Sequence, residues 1–275
     1  SQILEIYEIY AVKYAERDAV AGDHYLRCDD HNTPAPMDYF IWVLRNENRT
    51  VVVDIGFDAL EAKKRHRRHL RCPAVALKLL NVEAEAVSDV IVTHLHYDHV
   101  GNLEKFPSAY FHLQDDEMCY ATGRAMRHQT ARAAYTVQHI TDMIHAVYNE
   151  RVVFHDGDVV LFPGVSLHLI GGHTRGMQAV RVNTKRGWVV LASDAAHFLG
   201  NFVHNNPFTI VDSVTDMLEG FAKLESLATS REHIIPGHDP LVMEHYRSPK
   251  SETDGIIVRL DEPPTTSMVD AVKRL

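Results

Sequence analysis

Cysteine is scarce in this chain. Cys28, Cys72 and Cys119 lie far apart, are odd in number and form no CxxC pair, which argues against a disulfide framework or a cysteine-rich zinc site and favours a reducing compartment. Long apolar runs are missing too, and none reaches the length needed to span a bilayer. The opening, SQILEIYEIYAVKYAERDAV, has no basic flank ahead of an unbroken apolar stretch, so a signal peptide is not expected and a cytoplasmic location is. Positive charge is in deficit. A net charge of −9 supplies no electrostatic footprint for nucleic acid or an anionic membrane, and neither is expected as a partner. The one basic stretch, KKRHRRHLR from Lys63 to Arg71, reads as a solvated helix face. Low-complexity segments and Pro-, Gly- or Ser-rich linkers are absent, so residues 1–275 read as a single domain, with about 247–275 as a C-terminal tail expected to be mobile or to touch a partner.

What is present is strand patterning in both halves. ILEIYEIYAVKYA, DYFIWVL and TVVVDIGF are rich in β-branched or aromatic residues and bounded by turn formers. Between the first two, DDHNTPAPMD reads as a covering loop. Helices are expected from Ala59 to Leu70 and around Pro73 to Leu80, followed by a short buried strand, DVIVTH. Apolar residues at helical spacing from Gln114 to Glu150 predict one or two long helices. RVVFHDGDVVLF, VSLHLIGGH, AVRVNT and GWVVLASD then read as strands, Val214 to Ala228 as a helix capped by Asp212 or Ser213, and HIIPGH as a last strand and loop. The pattern implies an α/β fold of two packed sheets covered by helices.

The chemistry concentrates in THLHYDHVGN, Thr93 to Asn102, where His94, His96, Asp98 and His99 crowd into one turn. Other predicted strands end at His173, Asp194 and His238, and loops leaving rigid strand ends are where sites are built. With 19 histidines in the chain, lone ones such as His24, His66, His128 and His155 read as surface or core filler. The clustered set differs: three imidazoles and a carboxylate on one turn gain little without a cation, and these donors suit zinc and similar divalent ions.

THLHYDHVGN, GGHTRG, SDAAH and PGHD, in this order, resemble the HxHxDH, His, Asp, His signature of the metallo-β-lactamase superfamily. VVVDIGFD extends the likeness over nearly the whole chain, through an early strand ending in Asp-x-Gly. The resemblance implies an αββα sandwich, two mixed sheets flanked by helices, with a dinuclear metal site at one edge. It implies that His94, His96 and His173 hold one divalent ion, that Asp98, His99 and His238 hold the other, and that Asp194 bridges them. Zinc is the first choice for both, and Asp54 would orient a ligand or its loop.

Within the superfamily, no cysteine stands near Asp194, unlike the common β-lactamases; basic RNA-processing surfaces and a flavodoxin module are also missing. GGHTRGMQ, LASDAAHF and IIPGHDP resemble the N-acyl homoserine lactonase-like branch. That branch implies opening of a lactone, an N-acyl homoserine lactone or a related cyclic ester, by a metal-bridging hydroxide, with Asp98 shuttling the proton. One departure stands out: His197 replaces the tyrosine that better known lactonases carry three residues after the bridging aspartate. An imidazole donates a similar hydrogen bond to the substrate carbonyl, but its charge is expected to vary near neutral pH. The expected partner is a small-molecule lactone or ester, and a homodimer is left open. The alternative is a glyoxalase II-type thioester hydrolase or a persulfide dioxygenase-like enzyme, which the short tail of mixed charge disfavours; a third reading is a metal-bound scaffold without catalysis. Asp29 to Asp38 and His197 to Phe208 are nominated as pocket covers, with His31 and His204 as further candidates.

Overall fold

A computed structural model describes residues 3–272. In chain order its strands are β1 (Glu8–Arg17), β2 (Met37–Arg45), β3 (Thr50–Val53), β4 (Arg68–His69), β5 (Asp89–Ile91), β6 (Tyr110–Gln114) and β7 (Val152–His155), then β8 (Val159–Phe162), β9 (Val165–Leu169), β10 (Gln178–Thr184), β11 (Gly187–Ser193), β12 (Ile234–Pro236) and β13 (Ile257–Arg259). One sheet runs β13-β1-β2-β3-β5-β6-β7, with β4 also on β1; the other runs β12-β11-β10-β9-β8. Both are mixed: β3, β5, β6 and β7 pair in parallel, as do β11 and β12, while the remaining pairs are antiparallel.

Side chains alternate across a strand, and here both faces are buried. Ile9, Ala11, Phe40, Trp42, Leu44, Val51 and Val53 share a core with Leu167, Val180, Val182 and Leu191 of the second sheet. Their neighbours Tyr10, Val12, Tyr14, Ile41, Val43 and Val52 turn the other way, into a layer with Leu77, Leu80, Phe106 and Met143. This explains why β2, MDYFIWVLR, reads as a nearly continuous apolar run. The helix Val214–Leu227, capped by Ser213 Oγ accepting from the Asp216 amide at 3.2 Å, sends Met217, Phe221 and Leu224 into the second core. The architecture is the expected sandwich of two mixed sheets flanked by helices. Among the described residues no helix is long and apolar enough to cross a membrane.

Several local expectations change. The helix expected to Leu70 ends at Lys64; His66 takes a left-handed φ of 59° and the chain continues as β4, because the edge of β1 at Ala15 and Glu16 offers it backbone partners. Of the one or two long helices expected between Gln114 and Glu150, two form, Asp115–Thr122 and Val137–Tyr148, both shorter than expected; between them lie short helical turns at Arg124–Arg127 and Gln129–Arg132 and a stretch held by tertiary bonds such as Tyr97 N–H to the Ala134 carbonyl at 2.9 Å. The expected mobile tail is partly built in: β13 pairs with β1 at Tyr10↔Arg259, and Asp261 accepts from the Ile9 amide at 3.1 Å.

One buried carboxylate ties together two loops that matter below. Glu117, fully enclosed, accepts from the Leu95 amide at 2.8 Å, the Gly176 amide at 3.1 Å and the Tyr135 hydroxyl at 2.9 Å. Leu95 lies between His94 and His96, and Gly176 follows His173, so the clasp sets the spacing of those loops. Gly176 is needed for the approach, since a Cβ there would collide with the Glu117 backbone. Replacing Glu117 by Ala strands the buried donors, and the expected loss is about 3 kcal/mol or more, read from the denaturant midpoint of metal-free protein; an unchanged midpoint would remove the clasp.

Candidate metal centre

Five strands deliver the candidate side chains at their C-terminal ends. Asp54 follows β3, His94 follows β5, His173 follows β9, Asp194 follows β11 and His238 follows β12. His96, Asp98 and His99 lie on the turn and short helix, Tyr97–Val100, that continue from His94. Two of these exits use left-handed backbone at non-glycine residues, Asp54 at φ 61° and Ser193 at φ 48°. Such conformations cost of order 1 kcal/mol each and persist where the surroundings over-determine them. Here the two strained residues meet at Thr93. Its amide and hydroxyl donate to the two Asp54 oxygens, each at 2.8 Å, and its hydroxyl lies 2.9 Å from Ser193 Oγ.

The side chains converge on Asp194. Its Oδ2 lies 3.5 Å from His94 Nε2, 3.3 Å from His173 Nε2 and 3.4 Å from His197 Nε2, while its Oδ1 lies 3.3 Å from His99 Nε2 and 3.0 Å from His238 Nε2. Asp98 Oδ2 adds contacts at 3.1 Å to His99 and 3.4 Å to His238. The donor atoms form two groups, His94, His96, His173 and Asp194, and Asp98, His99, Asp194 and His238, each gathered within 4.8 Å and each fully buried. Asp194 belongs to both.

The opposite edge of several imidazoles is already committed. His99 Nδ1 lies 2.6 Å from Asp54, His173 Nδ1 2.6 Å from the Ile210 carbonyl, His238 Nδ1 2.8 Å from the Asp38 carbonyl and His94 Nδ1 3.0 Å from the Thr93 hydroxyl. These acceptors hold a proton on Nδ1 and turn Nε2 inward, where its lone pair is open to a cation once any proton there is displaced. Several inward atoms are left without partners: His94, His99, His173 and His197 Nε2 and Asp194 Oδ1 are buried and make no hydrogen bond among the described residues. Buried polar atoms are ordinarily paired, and lone pairs aimed at one another repel. The residues therefore fit divalent cations, whose charge would satisfy every inward atom.

The titration behaviour has the same origin. Burial, reinforced by the neighbouring imidazoles, pushes His94 down to about 3 and His96 well below its ordinary value. Burial would lower His99 and His238 as well, but the adjoining carboxylates override it and hold both up. Asp98 and Asp194 are held down against their burial by charged His99 and His238. His197 departs from expectation: burial pushes it down to about 3, so its ring stays neutral across the neutral range instead of changing charge there. It stacks on Phe208, ring centroids 3.6 Å apart.

A cavity of about 180 Å³ is lined by His96, Asp98, His173, Asp194, His197 and His238, and a second of about 280 Å³ shares His96 and His173. Of the nominated covers, Met37 and His197 line the first cavity, whereas His31 and His204 are exposed and line neither. Tyr97, Ala133, Ala134 and Ile210 also line it and carry no signal in the sequence. His24, read as filler, is buried with its Nδ1 3.4 Å from that of His197. Glu117 and the Asp38 and Ile210 carbonyls were equally silent, since each acts only through contacts distant in the chain.

Residues 35–246 match the model of the metallo-beta-lactamase superfamily. An N-acyl homoserine lactonase of Bacillus cereus is 28% identical over 165 residues, covering 59% of this chain and 60% of that relative. A solved N-acyl homoserine lactone hydrolase, with the product N-hexanoyl-L-homoserine bound at its catalytic metal centre, superposes with a TM-score of 0.74 at 19% identity, over 88% of this chain and 96% of that one. The dizinc quorum-quenching lactonase AidC, with the same product, gives a TM-score of 0.68 at 15% identity, over 87% and 90%. The family match spans β2 to β12 and every strand end that feeds Asp194, and on that ground the chain belongs to the metallo-β-lactamase superfamily.

Proposed function

We propose that this chain is a metal-dependent hydrolase that opens a lactone, an N-acyl homoserine lactone or a related cyclic ester. The observation that carries the reading is the Asp194 carboxylate, with one oxygen facing His94 and His173 and the other facing His99 and His238. His94, His96 and His173 would hold one divalent cation, Asp98, His99 and His238 the other, with Asp194 shared; zinc is the first choice, supported by the donor set and by the dizinc neighbour. The lactone substrate is supported by the likeness to the N-acyl homoserine lactonase of Bacillus cereus. When bound, such a cation pair lowers the pKa of a water toward neutrality and polarises an ester carbonyl.

The remaining work falls to the chain's own groups. Asp98, held ionised, takes the proton of the attacking water and passes it to the departing ring oxygen, so that one C–O bond forms as another breaks and a hydroxy acid leaves. His197, neutral and with Nε2 turned toward the same centre, orients the carbonyl oxygen as negative charge grows on it. Phe208 holds that ring flat, and Asp54 fixes His99 by accepting from its Nδ1.

Asp98→Asn is expected to lower kcat by about 10²–10⁴-fold, with metal content assayed in parallel; an unchanged rate removes the proton-shuttling role. His197→Tyr is expected to change the ranking of lactones by kcat/KM while metal content stays the same, and loss of metal would make His197 a ligand instead. Chelation should abolish turnover, with zinc restoring it at about two equivalents per chain. Because His99 and His238 are raised in the cation-free protein, cation uptake displaces their protons and affinity falls as pH drops. Calorimetry in buffers of different ionisation enthalpy reads that release, and buffer-independent heats would contradict it.

A further inference from the structure

Three guanidinium groups line the 180 Å³ cavity beside the candidate ligands: Arg17, Arg65 and Arg67. Arg17 ends β1, whereas Arg65 and Arg67 lie in the basic run after the helix that ends at Lys64, and the three differ in how they are satisfied. Arg65 is fully engaged. Its Nε lies 2.7 Å from Glu61, its terminal nitrogens donate to the Ala133 carbonyl at 2.9 Å and the Thr136 hydroxyl at 2.9 Å, and its fork lies 4.0 Å above the Tyr97 ring. Arg17 and Arg67 form no ion pair among the described residues. Arg67 Nε donates to the Tyr97 hydroxyl at 3.0 Å and one of its terminal nitrogens to the Arg65 carbonyl, both neutral acceptors, and Arg17 Nε points at Met37 Sδ at 3.0 Å, a weak acceptor. Both are half-buried.

Two unneutralised cations in one cavity are unexpected in a chain of net charge −9. Partial desolvation of an unpaired guanidinium is unfavourable, and its planar fork matches a carboxylate or phosphate. The negative groups nearby are already used: Glu61 by Arg65, and Asp98 and Asp194 by the imidazoles around them. A neutral acyl chain would gain nothing from either arginine. The adjoining cavity of about 280 Å³ has no arginine in its lining, so the cationic character is confined to one side of the His96–His173 boundary.

We infer that the substrate carries an anionic group, a carboxylate or a phosphate, which Arg17 and Arg67 hold beside the ester being cleaved. This rests on the hydrolase reading of the same site and narrows it to compact, charged lactones or esters, with the uncharged part of the molecule directed into the second cavity. Arg65 acts by position: stacked on Tyr97, it keeps Tyr97 where its hydroxyl orients Arg67.

The test is steady-state kinetics of zinc-loaded protein on two matched pairs: γ-butyrolactone with its γ-carboxylate, and γ-hydroxymethyl-γ-butyrolactone with its phosphate ester. At least one charged member should exceed its neutral partner tenfold or more in kcat/KM, and the pair that does so distinguishes carboxylate from phosphate. Arg67→Gln and, independently, Arg17→Gln should each erase that preference through KM for the charged member, with Arg67→Lys restoring part of it. Equal or greater activity on both neutral members, or a preference that survives both variants, overturns the inference. If none of the four is hydrolysed, the lactone reading is what has failed. Calorimetric binding of cyclopentanecarboxylate and cyclopentyl phosphate then tests the anion site alone: tenfold weaker binding of either by Arg67→Gln supports it, and affinities equal to wild type refute it.

Discussion

Five imidazole nitrogens surround the two oxygens of one buried carboxylate, Asp194, at 3.0 to 3.5 Å. Several of these atoms bring lone pairs toward lone pairs in a volume with little water to screen them, and without a counter-charge the arrangement is self-repelling. Much of the surrounding structure can be understood as what holds them there. Each outer ring nitrogen that has an acceptor is turned away from the centre, which prevents the rings from rotating to relieve the crowding.

Rigidity comes from both sheets and from the ties between their loops. Asp54 and Ser193 leave their strands in left-handed conformations, one from each sheet, and Thr93 joins them through a set of short hydrogen bonds. Glu117 links the His94–His96 turn to the loop after His173. The strain and the buried carboxylates are local liabilities, offset by a continuous apolar core between the sheets. A donor set needing positions good to a fraction of an ångström is thus mounted on the stiffest part of the fold.

Charge divides the site into two regions with different tasks. Around Asp194 the carboxylates and imidazoles create a demand for cations, while in the same cavity Arg17 and Arg67 present cations that pair with no anion among the described residues. Tyr97 connects the regions: it adjoins Asp98 in the chain, lies under Arg65 and accepts from Arg67. On the proposed reading, such proximity would place recognition of a substrate's charge next to the bond to be broken, where binding energy is most readily used for orientation.

The ligand candidates are legible in the chain because His94, His173, Asp194 and His238 follow short apolar runs and His96, Asp98 and His99 crowd into the turn after the first of them, and both are local patterns. The sheets were legible for the same reason, since alternation and β-branching are properties of neighbours. Other features depended on contacts far apart in sequence. The basic run from Lys63 to Arg71 resembles a solvated helix face, yet pairing of Arg68 and His69 with β1 ends that helix early, and Arg65 and Arg67 line the site. Glu117 looks like an ordinary acidic residue of a helix's first turn until Leu95 and Gly176 are brought to it. His197 looks like a group titrating near neutrality until burial lowers it. Which residues are able to bind a cation follows from side-chain chemistry alone; which of them face one another, and which charges are left without a partner, is settled by long-range packing.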